Sequence, residues 1–206
     1  MSGIYIHIPF CKKACHYCNF HFSTNQNSKS AFIKAVCNEL VLRKSEYTSE
    51  EIQSIYFGGG TPTVLEVSEL NTILQTVYEH YKVSDTSEIT LEANPDDLDL
   101  EKIKRLANTK INRLSIGIQS FHESDLTSMN RAHNAIEAKK CLEIATTYFD
   151  NITIDLMFGM PTMSIEQWRQ NLQTAFGFGI KHLSCYALTV EPKTALEHFI
   201  NKGSHL

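Results

Sequence analysis

Six runs rich in Ile, Val, Leu and aromatic residues recur along this 206-residue chain: IYIHIPF, SIYFGGG, EITLEANP, RLSIGIQSF, NITIDLMFGMP and KHLSCYALTV. Each reads as a strand, and the longer segments between them read as helices. Phe32, Ile33, Val36, Leu40 and Val41 form one stripe at helical spacing, and Leu70, Ile73, Leu74, Val77, Tyr78 and Tyr81 form another. Leu142, Ile144, Ala145 and Tyr148 form a third, and Ile165, Trp168, Leu172 and Phe176 a fourth, each wide enough to lie on a sheet. Strand and helix thus alternate six times. A parallel neighbour can be reached only by a crossover, so this order predicts right-handed βαβ units and a parallel α/β sheet. At roughly 34 residues per unit the spacing approaches that of an eight-unit barrel but stops two units short. An open doubly wound sheet and a partial (β/α)6 barrel both satisfy the pattern. No linker-like stretch or internal repeat interrupts it, which predicts one domain over residues 1–206.

Composition narrows the function classes. With 42% hydrophobic and 20% charged residues the chain reads as folded throughout. Its net charge of -4 argues against nucleic acid as a partner, because phosphate contacts need clustered Lys and Arg. No apolar run reaches the roughly 18 residues of a transmembrane segment, and the amino terminus lacks the layout of a signal peptide, so a cytoplasmic protein is expected. In a reducing compartment the six cysteines are expected as free thiols or metal ligands. Cys37 and Cys141 fall in helical patterns and Cys185 in a strand, where core packing is the expected role.

In both candidate architectures ligands gather at the carboxyl ends of the strands. Those ends carry unusual chemistry here. The first is followed by HIPFCKKACHYCNFHF, with Cys11, Cys15 and Cys18 interleaved with His16 and His21. Three thiols could join a histidine on zinc, serve as a redox dithiol with one to spare, or anchor an iron–sulfur cluster and leave one iron open. The second strand ends in GGGTPT, whose glycines allow close backbone approach but which lacks the lysine of a nucleotide phosphate loop. Glu92 and Asn94-Pro95 stand at the third end, Gln119 at the fourth, Asp155 within the fifth, and Ala187 and Glu191 near the sixth. Glu92 and Asp155 draw notice because charge is rare within apolar strands.

Taken together these residues resemble a known family. CKKACHYC matches the C-x3-C-x2-C signature of radical S-adenosylmethionine enzymes, and GGGTPT is similar to the glycine-rich motif that binds the methionine end of their cosubstrate. YIHIPFC, YFGGGTPT, EITLEANP, NRLSIGIQSF, NRAHN, IDLMFGMP and YALTVEP resemble, in order, the branch holding oxygen-independent coproporphyrinogen III oxidases and heme chaperones. The resemblance implies a partial (β/α)6 barrel, a 4Fe–4S cluster on Cys11, Cys15 and Cys18, and S-adenosylmethionine chelating the open iron. In the family an electron from the cluster cleaves the sulfonium to a 5′-deoxyadenosyl radical, so the cofactor carries the hard step. Residue by residue, it implies cosubstrate contacts from Gly59, Gly60 and Thr61, from Glu92, Gln119, Arg131 and Asp155, and from Tyr5, Tyr17 and Ala187. Phe10, Tyr17, Phe20 and Phe22 suit exclusion of water. No catalytic residue is assigned.

Two departures separate the branches. Oxidase members carry a further cysteine two residues after the triad and a long extension before it, whereas this sequence has Phe20 there and ten residues before Cys11. The heme chaperone branch is therefore expected, with heme, acceptor hemoproteins and an electron donor as partners. Family members continue into a carboxy-terminal domain beyond the sixth unit, where heme ligation is expected. His133 in RAHN is not expected to be that ligand.

Overall fold

The structure, a computed structural model, describes residues 2–47, 51–161 and 163–203. Six strands appear where the apolar runs place them: β1 Ser2–Ile8, β2 Ile52–Gly59, β3 Val83–Ala93, β4 Arg113–Gln119, β5 Ile152–Phe158 and β6 His182–Ala187. Their spatial order is their chain order, and every neighbouring pair is parallel. A doubly wound sheet would reverse direction at a switch point. This sheet never does, so it winds one way as an open (β/α)6 partial barrel, with β1 and β6 as its edges.

The helices are α1 Lys29–Arg43, α2 Val67–His80, α3 Leu100–Ala107, α4 Glu123–Ser128, α5 Ala135–Tyr148, α6 Ile165–Gly177 and α7 Ala195–Asn201. Capping boxes start α2 (Glu66 with Glu69), α5 (Asn134 with Glu137) and α6 (Ser164 with Gln167). The core lies between helices and sheet. Ile6 and Ile8, Ile55 and Phe57, Ile89 and Leu91, Leu114 and Ile116, and Ile154 and Leu156 are buried there against Leu70, Ile73 and Val77 of α2 and Leu142 of α5. Each such side chain contributes ~1.5–3 kcal/mol by leaving water.

The alternate residues face the barrel interior, and they are mostly polar. Arg113 donates to Thr90 Oγ1 (3.2 Å) and Thr153 Oγ1 (2.5 Å), and Thr153 Oγ1 lies 3.0 Å from His182 Nδ1. A closed eight-strand barrel fills this space with branched aliphatic layers. Here the interior is a polar, hydrogen-bonded floor beneath a cavity.

Two expectations need correction. Cys185 is exposed rather than packed in the core: among the described residues β6 pairs only with β5 and lies at the edge of the sheet. The stripe on α6 is rotated: Asn171 and Ala175 meet the core, while Ile165 and Phe176 are 65% and 61% exposed.

Candidate functional site at the barrel mouth

The segment after β1 folds over the carboxyl ends of the strands. Cys11 N–H donates to Ser23 O and Ser23 N–H to Pro9 O, closing its base. Its tip is held from across the barrel: His16 N–H donates to Met129 O, Asn130 Nδ2 to Ala14 O, and Leu196 N–H to His16 O. Lys12 pairs with Asp97 (2.5 Å) and Asp96 (3.0 Å), while Asn19 donates to Glu191 Oε2. Segments after β3, β4 and β6 thus fix a loop that has little secondary structure of its own.

Beneath the loop lies a cavity of about 380 Å³. Cys11, Cys15, Cys18, Tyr17, Gly59, Gly60, Thr61, Glu92, Gln119, Arg131, Asp155 and Ala187 all line it. Tyr5 does not. Its ring sits toward the open β1 edge, lines a separate groove, and stacks on Tyr56 at 5.9 Å. Tyr56 in turn donates to Glu92 Oε1 at 2.7 Å, so Tyr5 stands one ring behind the cavity wall.

The glycine-rich motif works differently from a simple ligand cradle. Gly60 N–H donates to Ile8 O (2.9 Å), Thr61 N–H to Phe10 O (2.7 Å), and Gly59 N–H to Glu92 Oε2 (3.1 Å). A Cβ on Gly60 would fall 2.7 Å from Phe10 O and 2.9 Å from Ile8 O. The close approach that Gly60 allows is to the cysteine loop itself. With all three N–H groups committed, these backbone units can meet a ligand only through carbonyl oxygens, which suit a cation or ammonium.

Thr61 Oγ1 and Cys11 Sγ are 3.5 Å apart, as are Arg131 and Cys15 Sγ. Burial pushes the Cys11 and Cys18 thiols up, and the neighbouring sulfurs add to it. A bound metal favours the thiolate form of such ligands. Among the described residues no three His, Cys, Asp or Glu side chains converge closely enough to hold one metal ion. Three thiolates on separate irons of a cubane need no such convergence.

The opposite wall is acidic. Burial raises the Glu92 carboxyl, and burial together with the Glu92 charge pushes Asp155 up to about 6. Gln119 occupies a bulge at the end of β4 with φ +67°, and its buried Oε1 has no partner. Arg131, half-buried, donates to Asn94 Oδ1 (2.8 Å) and Gly117 O (2.6 Å). Three thiols, an orphaned amide oxygen and two carboxylates around one space fit an iron–sulfur cluster beside a cationic, hydroxyl-bearing ligand.

A model of the family described as "Radical SAM superfamily" matches residues 5–175. The chain belongs to the radical SAM superfamily. Radical SAM membership implies a 4Fe–4S cluster and S-adenosylmethionine. Relatives include the heme chaperone HemW of Bacillus subtilis, 36% identical over 206 residues, spanning 98% of this chain and 54% of that protein. HemW of Escherichia coli is 34% identical over 195 residues, spanning 93% and 52%. Among solved structures, the radical SAM enzyme coproporphyrinogen III oxidase (HemN) of Escherichia coli superposes with a TM-score of 0.87 at 26% identity, covering 95% of this chain and 46% of that one. The chain therefore spans about half the length of the curated relatives it matches.

Several lining residues were not singled out from sequence: Lys13, Ser115, Gly117, Met157 and Tyr186. Alternation was the available signal for two of them, since Ser115, Gly117 and Gln119 are spaced by two along β4. For Lys13, in an irregular loop, no signal existed.

Proposed function

We propose that residues 1–206 form the cluster- and S-adenosylmethionine-binding core domain of a heme chaperone. The convergence of Cys11, Cys15 and Cys18 with Glu92, Gln119 and Asp155 on one cavity carries this reading. In it the three cysteines hold the cluster, which when bound supplies the electron for reductive cleavage of the sulfonium. Arg131 offsets thiolate charge at Cys15, and the Thr61 hydroxyl donates to Cys11. Glu92 and Asp155 accept from the ammonium and ribose hydroxyls of the cosubstrate, Gln119 Oε1 takes a further donor, and carbonyls of Gly59 and Gly60 complete the cradle. Tyr17 and Phe22 exclude water, whereas Phe20 is 68% exposed and does not, and Ala187 leaves room at the end of β6. Tyr5 acts through Tyr56.

Heme as cargo, acceptor hemoproteins, an electron donor and a cytoplasmic setting complete the proposal. They rest on the similarity to HemW proteins along 98% of the chain and on the resemblance noted above. The second reading is oxidative decarboxylation of coproporphyrinogen III, favoured by the fold match to HemN. Phe20, where the oxidases carry a cysteine, weighs against it. The test uses the full-length protein, reduced anaerobically with S-adenosylmethionine. Heme binding without formation of protoporphyrinogen IX is expected, and multiple turnovers above a cluster-free control would restore the oxidase reading.

A further inference from the structure

Gln119 is held in an unusual turn. Ser120 N–H donates to Ile118 O at 2.9 Å, which closes a three-residue ring around Gln119 at φ +67°. That is the γ-turn with positive central φ, rare and strained for any residue but glycine. Strain of this kind persists only where the surroundings over-determine it.

Here they do. On one side of the turn, Arg131 donates to Gly117 O (2.6 Å) and His133 Nε2 donates to Ile118 O (3.1 Å). On the other, Asn171 Oδ1 accepts from Phe121 N–H (2.8 Å), and Asn171 Nδ2 donates to Ser120 Oγ (3.2 Å). Ser120 Oγ itself donates to Asp125 Oδ2 (2.6 Å) and accepts from His122 N–H (3.1 Å). Ser120, Asp125, His133 and Asn171 are all buried, Asn171 and Ser120 completely. None of these four lines the cavity. A fully buried asparagine on α6 has no ligand to meet there, yet it spends both ends of its amide on the two residues after Gln119.

We infer that His133, Asn171 and the Ser120–Asp125 pair are positioning residues that clamp the Gln119 turn and hold its side chain at the cavity wall. The inference rests on the reading of that cavity as the cosubstrate site. Without the clamp, Gln119 would relax to negative φ, and its side chain would swing away from the mouth. The clamp also ties the Gln119 turn to the cysteine loop, because α4 carries Asp125 and leads into Met129 and Asn130, which hold the loop.

Two readouts test it, with Asn171→Ala and His133→Phe each compared with the parent protein. The first uses cluster-free protein: backbone chemical shifts of Gln119 report the sign of φ. A left-handed Gln119 is expected in the parent and its loss in Asn171→Ala. A left-handed Gln119 retained in both variants would overturn the clamp, whatever the cavity binds. The second uses anaerobically reconstituted protein and calorimetric titration with S-adenosylmethionine. Asn171→Ala should weaken binding about tenfold (~1.4 kcal/mol) with iron content unchanged. In a Gln119→Gly background it should add less than about twofold, since the target of the positioning is gone. Multiplying effects in the double variant would mark Asn171 as general structure and overturn the inference. A parent that binds no S-adenosylmethionine would sink the cosubstrate reading instead, leaving the first readout to decide the clamp.

Discussion

The guanidinium of Arg131 lies 3.5 Å from the sulfur of Cys15, joining residues 116 positions apart. Its other bonds run to Asn94 at the end of β3 and Gly117 on β4, so a single side chain links the cysteine loop to two strand ends. Arg131→Ala leaves the buried Gly117 carbonyl and the half-buried Asn94 amide oxygen without this donor and should destabilise the fold by about 1–3 kcal/mol. Arg131→Lys keeps the charge but not the planar fork and should recover less than half of that. Urea unfolding measures both, and full recovery by lysine would show that charge alone is at work.

Gly60 brings the backbone of the second strand's end against that of the cysteine loop. In Gly60→Ala the new Cβ meets Phe10 O at 2.7 Å and Ile8 O at 2.9 Å, both main-chain atoms that cannot turn aside. The loop must lift, at a cost of ~1–3 kcal/mol. Iron retained after reconstitution should fall severalfold while the far-ultraviolet circular dichroism stays the same. Unchanged iron content would mean that the loop tolerates the shift.

Asp155 gives a pH dependence of defined sign. Its carboxyl is pushed up to about 6 from an ordinary value of 3.8, first by burial and then by Glu92. A carboxyl raised in the folded state favours folding below its unfolded pKa, and that contribution is lost as pH rises through about 6. Asp155→Asn should therefore stabilise the ligand-free protein by roughly 1–3 kcal/mol at pH 7.5 and by almost nothing near pH 4. The same substitution should weaken S-adenosylmethionine binding by about 1–3 kcal/mol, because a charged acceptor is lost. Equal stability at both pH values, or unchanged affinity, would separate Asp155 from the role given to it.

How much of this was legible in the sequence follows from what each feature depends on. The six strands showed themselves because buried parallel strands must be apolar on the helix-facing side, as Ile55-Tyr56-Phe57 and Leu114-Ser115-Ile116 are. α3, α4 and α7 are short, and no apolar stripe announced them. The cavity residues were found through motifs that keep their spacing. Tyr5 was placed with them by resemblance, although its position at an open edge turns it to another groove. The Gln119 turn was invisible because its cause lies in Asn171 and His133, which are distant in sequence and each unremarkable alone. The helix stripe on α6 misled because Asn171 faces inward to serve that turn, which rotates Ile165 and Phe176 outward.

The identity of what Cys11, Cys15 and Cys18 bind decides the account. Iron, zinc and acid-labile sulfide should be measured after anaerobic reconstitution of the parent protein and of Cys→Ala variants at all six cysteines. The expected result is about four irons and four sulfides per chain, lost in the variants at Cys11, Cys15 and Cys18 and kept in those at Cys37, Cys141 and Cys185. One zinc with no sulfide, or an equal requirement for the other three cysteines, would contradict it.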